Sequence, residues 1–292
     1  MIKIPESILK LINLKEETAS EIKTLALKEN AVFLALIAPY TSVRVSPIEE
    51  HQASLGLSEE FAVEAAIGEI KARTDCKKLY LLLNSPGGLV TSSYKIAKAL
   101  RQNFEDITIF IPHLAASGGT IIALSGNRIV MGMMSQLSPI DAQIPYQDEF
   151  ISTAAFPRAI DWLEHYFKNK EPEEAPYPYQ AMSEKLDPAI CQQWIGVLNT
   201  VRAYASELLN LSGYDTKKSQ EIAHILAYQF HCHDCVINFD RAKEIGLNVV
   251  RDEKYPEIWA KMRDWLGNHM LEVVDKHVVR FAIPAEISTK KA

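Results

Sequence analysis

The sequence contains few cysteines, no long apolar run and no excess of positive charge. Its four cysteines in 292 residues are too few for a disulfide-based scaffold. The longest apolar stretch, from Ala31 to Pro39, is far shorter than the roughly 20 residues of a membrane helix, which argues against stable membrane insertion. The net charge of −6 gives no basis for binding nucleic acid. No compact apolar signal-peptide core is found near the start, so we expect a cytoplasmic protein.

The remaining composition is that of a soluble globular protein, with 48% hydrophobic and 23% charged residues. Apolar strand-like runs, as at 31–38, 78–83 and 107–111, alternate with helix-like stretches. This alternation predicts an α/β fold with a largely parallel sheet. The proline-rich segment 145–187 interrupts the alternation, and we interpret it as a surface excursion or a lid.

Two turns of small residues follow two of the predicted strands. Residues 84–88 read Asn-Ser-Pro-Gly-Gly, and residues 115–119 read Ala-Ala-Ser-Gly-Gly. One turn offers the backbone N–H of Gly88, and the other offers the Ser117 hydroxyl and the N–H of Gly118. A nucleophile beside two unblocked N–H donors is the minimal equipment for attacking a carbonyl and holding the resulting oxyanion. A purely structural role for Ser117, as the N-cap of the next helix, is the alternative.

A second candidate cluster lies at residues 231–235, which read His-Cys-His-Asp-Cys. Cys232 and Cys235 form a CxxC motif, which is half of a common zinc site. The sequence contains no second CxxC or paired-histidine motif to complete such a site. We therefore predict a polar turn at this point, and neither a metal nor another cofactor.

Taken together, the two turns resemble the Clp-protease/crotonase superfamily. The Ala-Ser-Gly-Gly turn around Ser117 is most similar to the signal-peptide-peptidase (SppA) branch. The stretch 137–143, Leu-Ser-Pro-Ile-Asp-Ala-Gln, and the later His233-Asp234 resemble the serine dehydrogenase proteinase family. The resemblance covers residues 31–250 and implies a spiral of β-β-α units. Helix-like spacing adds a helical arm at 1–30, and we expect a helical tail at 251–292.

The resemblance implies a serine peptidase that forms an acyl-enzyme on Ser117, acts on a peptide or protein substrate and assembles as a homo-oligomer. Clp proteases carry a histidine base shortly after the strand that follows the nucleophile helix, but residues 131–137 contain none. Signal peptide peptidases use a lysine before a long helix, which favours Lys185. Lys168, and His233 with its neighbour Asp234, are alternative bases, and Asp141 is a candidate to orient the base.

Two other functions stay open at this stage. A crotonase-type acyl-CoA enzyme would use the same oxyanion hole without a nucleophile, although no acidic residue lies in the helix after Ser117. A non-catalytic scaffold of the same fold, which has lost its base, is the other alternative.

Overall fold

The computed structural model describes residues 24–25, 28–38, 55–146, 149–167, 181, 184, 187–272 and 278–282. The strands in these ranges are β1 (Val32–Ile37), β2 (Lys78–Asn84), β3 (Asp106–Ile111), β4 (Leu114–Ala115), β5 (Arg128–Met131), β6 (Gln136–Leu137), β7 (Gln143–Tyr146), β8 (Glu149–Ser152), β9 (Val249–Arg251) and β10 (Val278–Ala282). The helices are α1 (Leu57–Arg73), α2 (Val90–Asn103), α3 (Gly118–Ala123), α4 (Ala155–Phe167), α5 (Pro188–Leu211), α6 (Thr216–His224), α7 (Phe239–Ile245) and α8 (Pro256–Glu272). A π-helical turn, Ile225–Gln229, extends α6.

The main sheet has six strands in the order β10-β1-β2-β3-β5-β9. Every neighbouring pair is parallel except β1 with β10, which is antiparallel. The strand β1 is buried along its whole length, as is usual for a parallel sheet covered on both faces. The predicted α/β fold with a largely parallel sheet is confirmed.

The two faces of the sheet hold separate apolar clusters because successive strand residues point to opposite sides. Leu81 packs with Ile96 of α2 in a large cluster that also includes residues of α1 and α5. Leu82 packs on the other face with Trp259 of α8. The sheet is therefore a central layer between helices on both sides, which is the layer arrangement of α/β domains.

A second, shorter ladder crosses the carboxyl ends of the strands, and we call it the edge ladder. It consists of Ser85, Ala115, Leu137 and Ile237, all fully buried. Ser85 pairs in parallel with Ala115, Ala115 pairs in parallel with Leu137, and Leu137 pairs antiparallel with Ile237. These short pairings follow the long strands β2, β3 and β5, in keeping with a spiral of β-β-α units.

Three predicted segments lie outside the main α/β alternation: the arm at 1–30, the excursion at 145–187 and the tail at 251–292. Most of the predicted arm at 1–30 lies outside the described residues. The excursion begins as the antiparallel pair β7 and β8, followed by α4, and most of its second half lies outside the described residues. The predicted tail contains the helix α8, but it is not purely helical because β10 joins the sheet beside β1. Within the part of the chain that the structure describes, no helix is both long and apolar enough for a membrane span.

Candidate active site

Ser117 lies at the turn between β4 and α3 in a strained backbone conformation. Its φ is 49° and its ψ is −112°, a region that residues other than glycine rarely occupy. Such strain costs about 1–3 kcal/mol and persists only where the surroundings impose it. The side chain is half-exposed and makes no capping hydrogen bond to α3. The turn thus leaves Ser117 partly open to solvent, and a strained strand-to-helix turn is also the setting of the nucleophilic serine in α/β-hydrolases.

Hydrogen bonds that involve two neighbouring hydroxyl groups, those of Ser138 and Thr120, hold this turn in place. The N–H of Ser117 donates to Oγ of Ser138 at 2.7 Å. The Thr120 hydroxyl donates to the carbonyl of Ala115 at 2.8 Å and accepts from the N–H of Ser138 at 3.1 Å. Both Ser138 and Thr120 are buried. No sequence pattern indicated that Thr120 and Ser138 hold this turn.

The glycine turn after β2 packs directly against the serine turn. Gly87 has a φ of 111° and Gly88 a φ of 150°, both in the region that favours glycine. A Cβ atom on Gly87 would lie 2.8 Å from Cβ of Ser117, and one on Gly88 would lie 2.3 Å from the backbone N and O of Leu55. The turn is therefore enclosed between Ser117 on one side and Leu55 on the other, which leaves no room for side chains.

The backbone N–H groups of Gly88 and Gly118 are close neighbours. A Cβ atom on Gly118 would lie 3.1 Å from the backbone N of Gly88. In the described part of the chain, neither N–H donates a backbone hydrogen bond beyond regular helix and strand pairing. Both groups therefore stay available to an incoming acceptor beside Ser117. The structure brings these three predicted residues together, while their catalytic roles stay predictions.

Replacing Gly87 with alanine is expected to slow covalent modification of Ser117 by about 10²–10³-fold, the loss typical of one displaced oxyanion donor. The added methyl group collides with Cβ of Ser117 and moves the two turns apart. Rates of labelling by a fluorophosphonate probe, measured below the melting temperature of the variant, test this expectation.

Gly68 provides the matched control, because a Cβ atom there meets nothing within 4 Å and the residue lies inside α1. Gly68→Ala is expected to keep the full labelling rate and to stabilise the fold by about 0.5–1 kcal/mol. Equal labelling rates for Gly87→Ala and Gly68→Ala would contradict the expectation that the reactivity of Ser117 depends on the contact between the turns.

His233 and Asp141 form a close pair beside the edge ladder. Nδ1 of His233 lies 3.1 Å from Oδ1 of Asp141. The side chains are 15% and 5% exposed, so the carboxylate is buried and needs the partner that His233 supplies. In the described part of the chain, no hydrogen bond occupies Nε2 of His233. The imidazole is therefore oriented by a carboxylate on one nitrogen and open on the other.

The edge ladder explains how two residues so distant in sequence meet. Asp141 follows Leu137 by four residues, and His233 precedes its ladder partner Ile237 by four residues. Ser138, which contacts Ser117, lies three residues before Asp141, and three residues span at most about 11 Å. The sequence grouped His233 with Asp234, but the structure pairs His233 with Asp141, and Asp234 is exposed.

The loop that carries His233 is anchored where it leaves the π-helical turn. The guanidinium group of Arg158 donates to the carbonyl oxygens of Tyr228 and Phe230. The Tyr228 hydroxyl donates to Asp161 at 2.8 Å. Burial, reinforced by the Asp161 carboxylate, raises the pKa of Tyr228, so the hydroxyl stays protonated and keeps donating. Helix α4 therefore fixes the start of the loop.

The same loop contains a disulfide bond between Cys232 and Cys235. The predicted polar turn is present at this position, but the sequence did not indicate the cross-link within it. A disulfide between cysteines three residues apart closes a small ring and leaves no periodic signal in the sequence. Within the described ranges, no group of three or more His, Cys, Asp or Glu side chains is arranged to hold a metal ion.

The two lysines proposed as bases, Lys185 and Lys168, lie outside the described residues. Their distances from Ser117 are therefore not part of the structure, and their roles stay predictions. Asp187, two residues beyond Lys185, caps α5 by accepting from the N–H of Ala189 at 2.8 Å. The long helix that the sequence placed after Lys185 is thus present as α5.

The chain is similar in sequence to a protein family and to two uncharacterised proteins over more than half of its length. A family model described as ClpP-like SDH-type serine proteinase matches residues 59–291. Two uncharacterised proteins of Methanocaldococcus jannaschii are 29% and 27% identical over 194 and 186 residues, which are 66% and 64% of this chain. The chain spans only 60% and 56% of the length of these relatives.

More distant similarities extend to proteases with other names. The ATP-dependent Clp protease proteolytic subunit of Streptococcus mutans is 28% identical over 97 residues, which are 33% of this chain and 46% of that protein. The solved structure of a 1510-N membrane-bound stomatin-specific protease aligns with a TM-score of 0.46 and 16% identity. That alignment covers 71% of this chain and 79% of the other.

Proposed function

Because this chain belongs to the family of ClpP-like SDH-type serine proteinases, we propose that it is a serine peptidase that cleaves peptide bonds through an acyl-enzyme on Ser117. The observation that supports this most directly is the strained, half-exposed Ser117 beside the glycine turn. A serine that served only as an N-cap would bond its side chain to α3, and Ser117 makes no such bond.

In the proposed reaction, Oγ of Ser117 attacks the carbonyl carbon of the scissile peptide bond while a base accepts its proton. The carbonyl oxygen becomes an oxyanion, and the N–H groups of Gly88 and Gly118 donate to it. Collapse of this intermediate breaks the C–N bond, and the base returns the proton to the leaving amine. Water then hydrolyses the ester on Ser117 in a second round of the same steps.

We favour His233 as the base, with Asp141 as the residue that orients it. The 3.1 Å contact between Nδ1 and the carboxylate fixes one nitrogen and leaves Nε2 to accept the proton of the serine. Lys185, which the sequence favoured, and Lys168 are the alternative bases. A lysine would have to be desolvated to act as a base near neutral pH.

A fluorophosphonate probe tests the proposal, because it forms a covalent adduct only with an activated serine. We expect stoichiometric labelling of Ser117, located by mass spectrometry of the digested protein, together with hydrolysis of unstructured polypeptides. The crotonase-type and scaffold alternatives both predict a folded protein without an adduct. A clean negative result with folded protein would therefore reject the peptidase.

We also propose that the active form is a homo-oligomer, which the family resemblance supports. The subunit mass is 32.8 kDa. Light scattering coupled to size-exclusion chromatography is expected to give a multiple of this value. A single-subunit mass at high protein concentration would reject the assembly without affecting the assignment of Ser117. A cytoplasmic location stays a prediction.

A further inference from the structure

The disulfide between Cys232 and Cys235 closes a small ring that contains the backbone of His233, the proposed base. The two cysteines are three residues apart, and His233 and Asp234 are the residues between them. The other two cysteines, Cys76 and Cys191, are free thiols. Among the described cysteines, the one cross-link therefore lies beside His233, whose position determines whether it can accept the proton of Ser117 in the proposed reaction.

Apart from the contact between the His233 side chain and Asp141, few interactions with described residues constrain the loop between its two anchors. Before the loop, Arg158 holds the carbonyl of Phe230, and after it Ile237 exchanges two hydrogen bonds of 2.9 Å with Leu137. Between these points, the backbone of the described chain forms one further hydrogen bond, a long one of 3.4 Å from Cys235 N–H to Cys232. Among the described residues, the disulfide is thus the main backbone restraint at His233.

The disulfide is also accessible from solution. Cys232 is exposed and Cys235 is half-buried. Exposed disulfides exchange readily with thiols and are the labile or regulatory ones, in contrast to buried structural bridges. A dithiol reductant can therefore reach Cys232 without unfolding the domain.

We propose that Cys232 and Cys235 form a redox-sensitive modification site that sets the activity of Ser117, with the disulfide form active and the dithiol form slow. This inference rests on the proposed function, because it requires His233 to be the base. Opening the ring releases the backbone around His233 and loosens its contact with Asp141. A general base displaced by about 1 Å loses on the order of 10²-fold in rate.

The switch is a balanced two-electron exchange with a dithiol. A thiolate of the reductant attacks Sγ of Cys232, the S–S bond breaks, and Cys235 leaves as a thiolate that takes up a proton. The second thiol of the reductant then attacks the mixed disulfide and releases Cys232 as a thiol. The reductant ends as a disulfide, and the protein gains two electrons and two protons.

The test compares fluorophosphonate labelling of the whole protein before and after treatment with dithiothreitol. We expect labelling to slow by about tenfold to 10²-fold on reduction and to recover on reoxidation. Cys232→Ser combined with Cys235→Ser should label slowly in both conditions. The matched control, Cys76→Ser combined with Cys191→Ser, should keep the full redox response. Equal rates for the oxidised and reduced protein would overturn the inference and leave the peptidase proposal intact.

A second measurement separates failure of the switch from failure of the proposed function. The imidazole C–H signals of His233 in NMR spectra, assigned with His233→Gln, are expected to shift when the disulfide is reduced. Unchanged signals would overturn the inference even if Ser117 reacts with the probe. Shifted signals without labelling in either state would support the link from the disulfide to His233 and reject the peptidase.

Discussion

Replacing Ser117 with alanine is expected to abolish fluorophosphonate labelling and to lower peptide hydrolysis by about 10⁴-fold or more. The nucleophilic oxygen is removed, and only binding and the oxyanion donors of Gly88 and Gly118 are left to act on the substrate. Such donors alone retain a small part of catalysis in serine hydrolases. Labelling stoichiometry by mass spectrometry and steady-state hydrolysis of an unstructured polypeptide measure the two losses.

The controls for this variant follow from the geometry of the turn. The Ser117 side chain makes no capping hydrogen bond, so Ser117→Ala is expected to leave the melting temperature almost unchanged. Ser117→Gly should raise the stability by about 1 kcal/mol, because glycine relieves the strain at a φ of 49°. Ser206→Ala, at a half-exposed position on α5, is the matched serine control and should label like the wild type. A Ser117→Ala protein that still reacts at the wild-type rate would reject Ser117 as the nucleophile.

Replacing His233 with alanine is expected to lower the labelling rate by about 10²–10⁴-fold, the usual contribution of a general base. Asp141→Asn should produce a loss in the same range, because the amide no longer fixes the imidazole in the form that leaves Nε2 as acceptor. Both variants keep Ser117 and the N–H groups of Gly88 and Gly118. The fall in labelling rate therefore measures only how far the base activates the Ser117 hydroxyl. Labelling rates of the wild type and of the two variants are compared at a saturating probe concentration.

Rescue experiments distinguish the base from a residue that only supports the fold. Added imidazole is expected to restore part of the labelling rate of His233→Ala, because it enters the space left by the side chain. Lys185→Ala and Lys168→Ala are expected to stay within about twofold of the wild type. If Lys185→Ala instead loses more than about 10²-fold and recovers with a small alkylamine, lysine is the base and the assignment of His233 is wrong.

The elements that carry strong local signals were predictable from sequence. The apolar runs that became β1, β2 and β3 are continuous and buried on both faces, which marks strands of a parallel sheet. The turn around Gly87 and Gly88 was found because only glycine tolerates its backbone conformations and close contacts. The position of Ser117 followed from the same pattern of small residues.

The remaining parts of the site depend on contacts that no local pattern encodes. His233 and Asp141 are 92 residues apart, and they meet only because Leu137 pairs with Ile237. Strands of two residues, such as β4 and β6, are too short to show a hydrophobic period. The strand β10 was missed for a related reason, since its partner β1 lies near the opposite end of the chain.

The edge ladder also determines when, during folding, the proposed active site is complete. Its first three members are synthesised long before Ile237, and contacts between distant segments form late because closing a large loop opposes them. A nascent chain that has emerged only as far as Leu137 therefore contains Ser117, the proposed nucleophile, but not yet His233, the proposed base. Under the proposed mechanism, a chain gains proteolytic competence only after the segment around Ile237 docks on Leu137, so unfinished copies of the chain stay inactive.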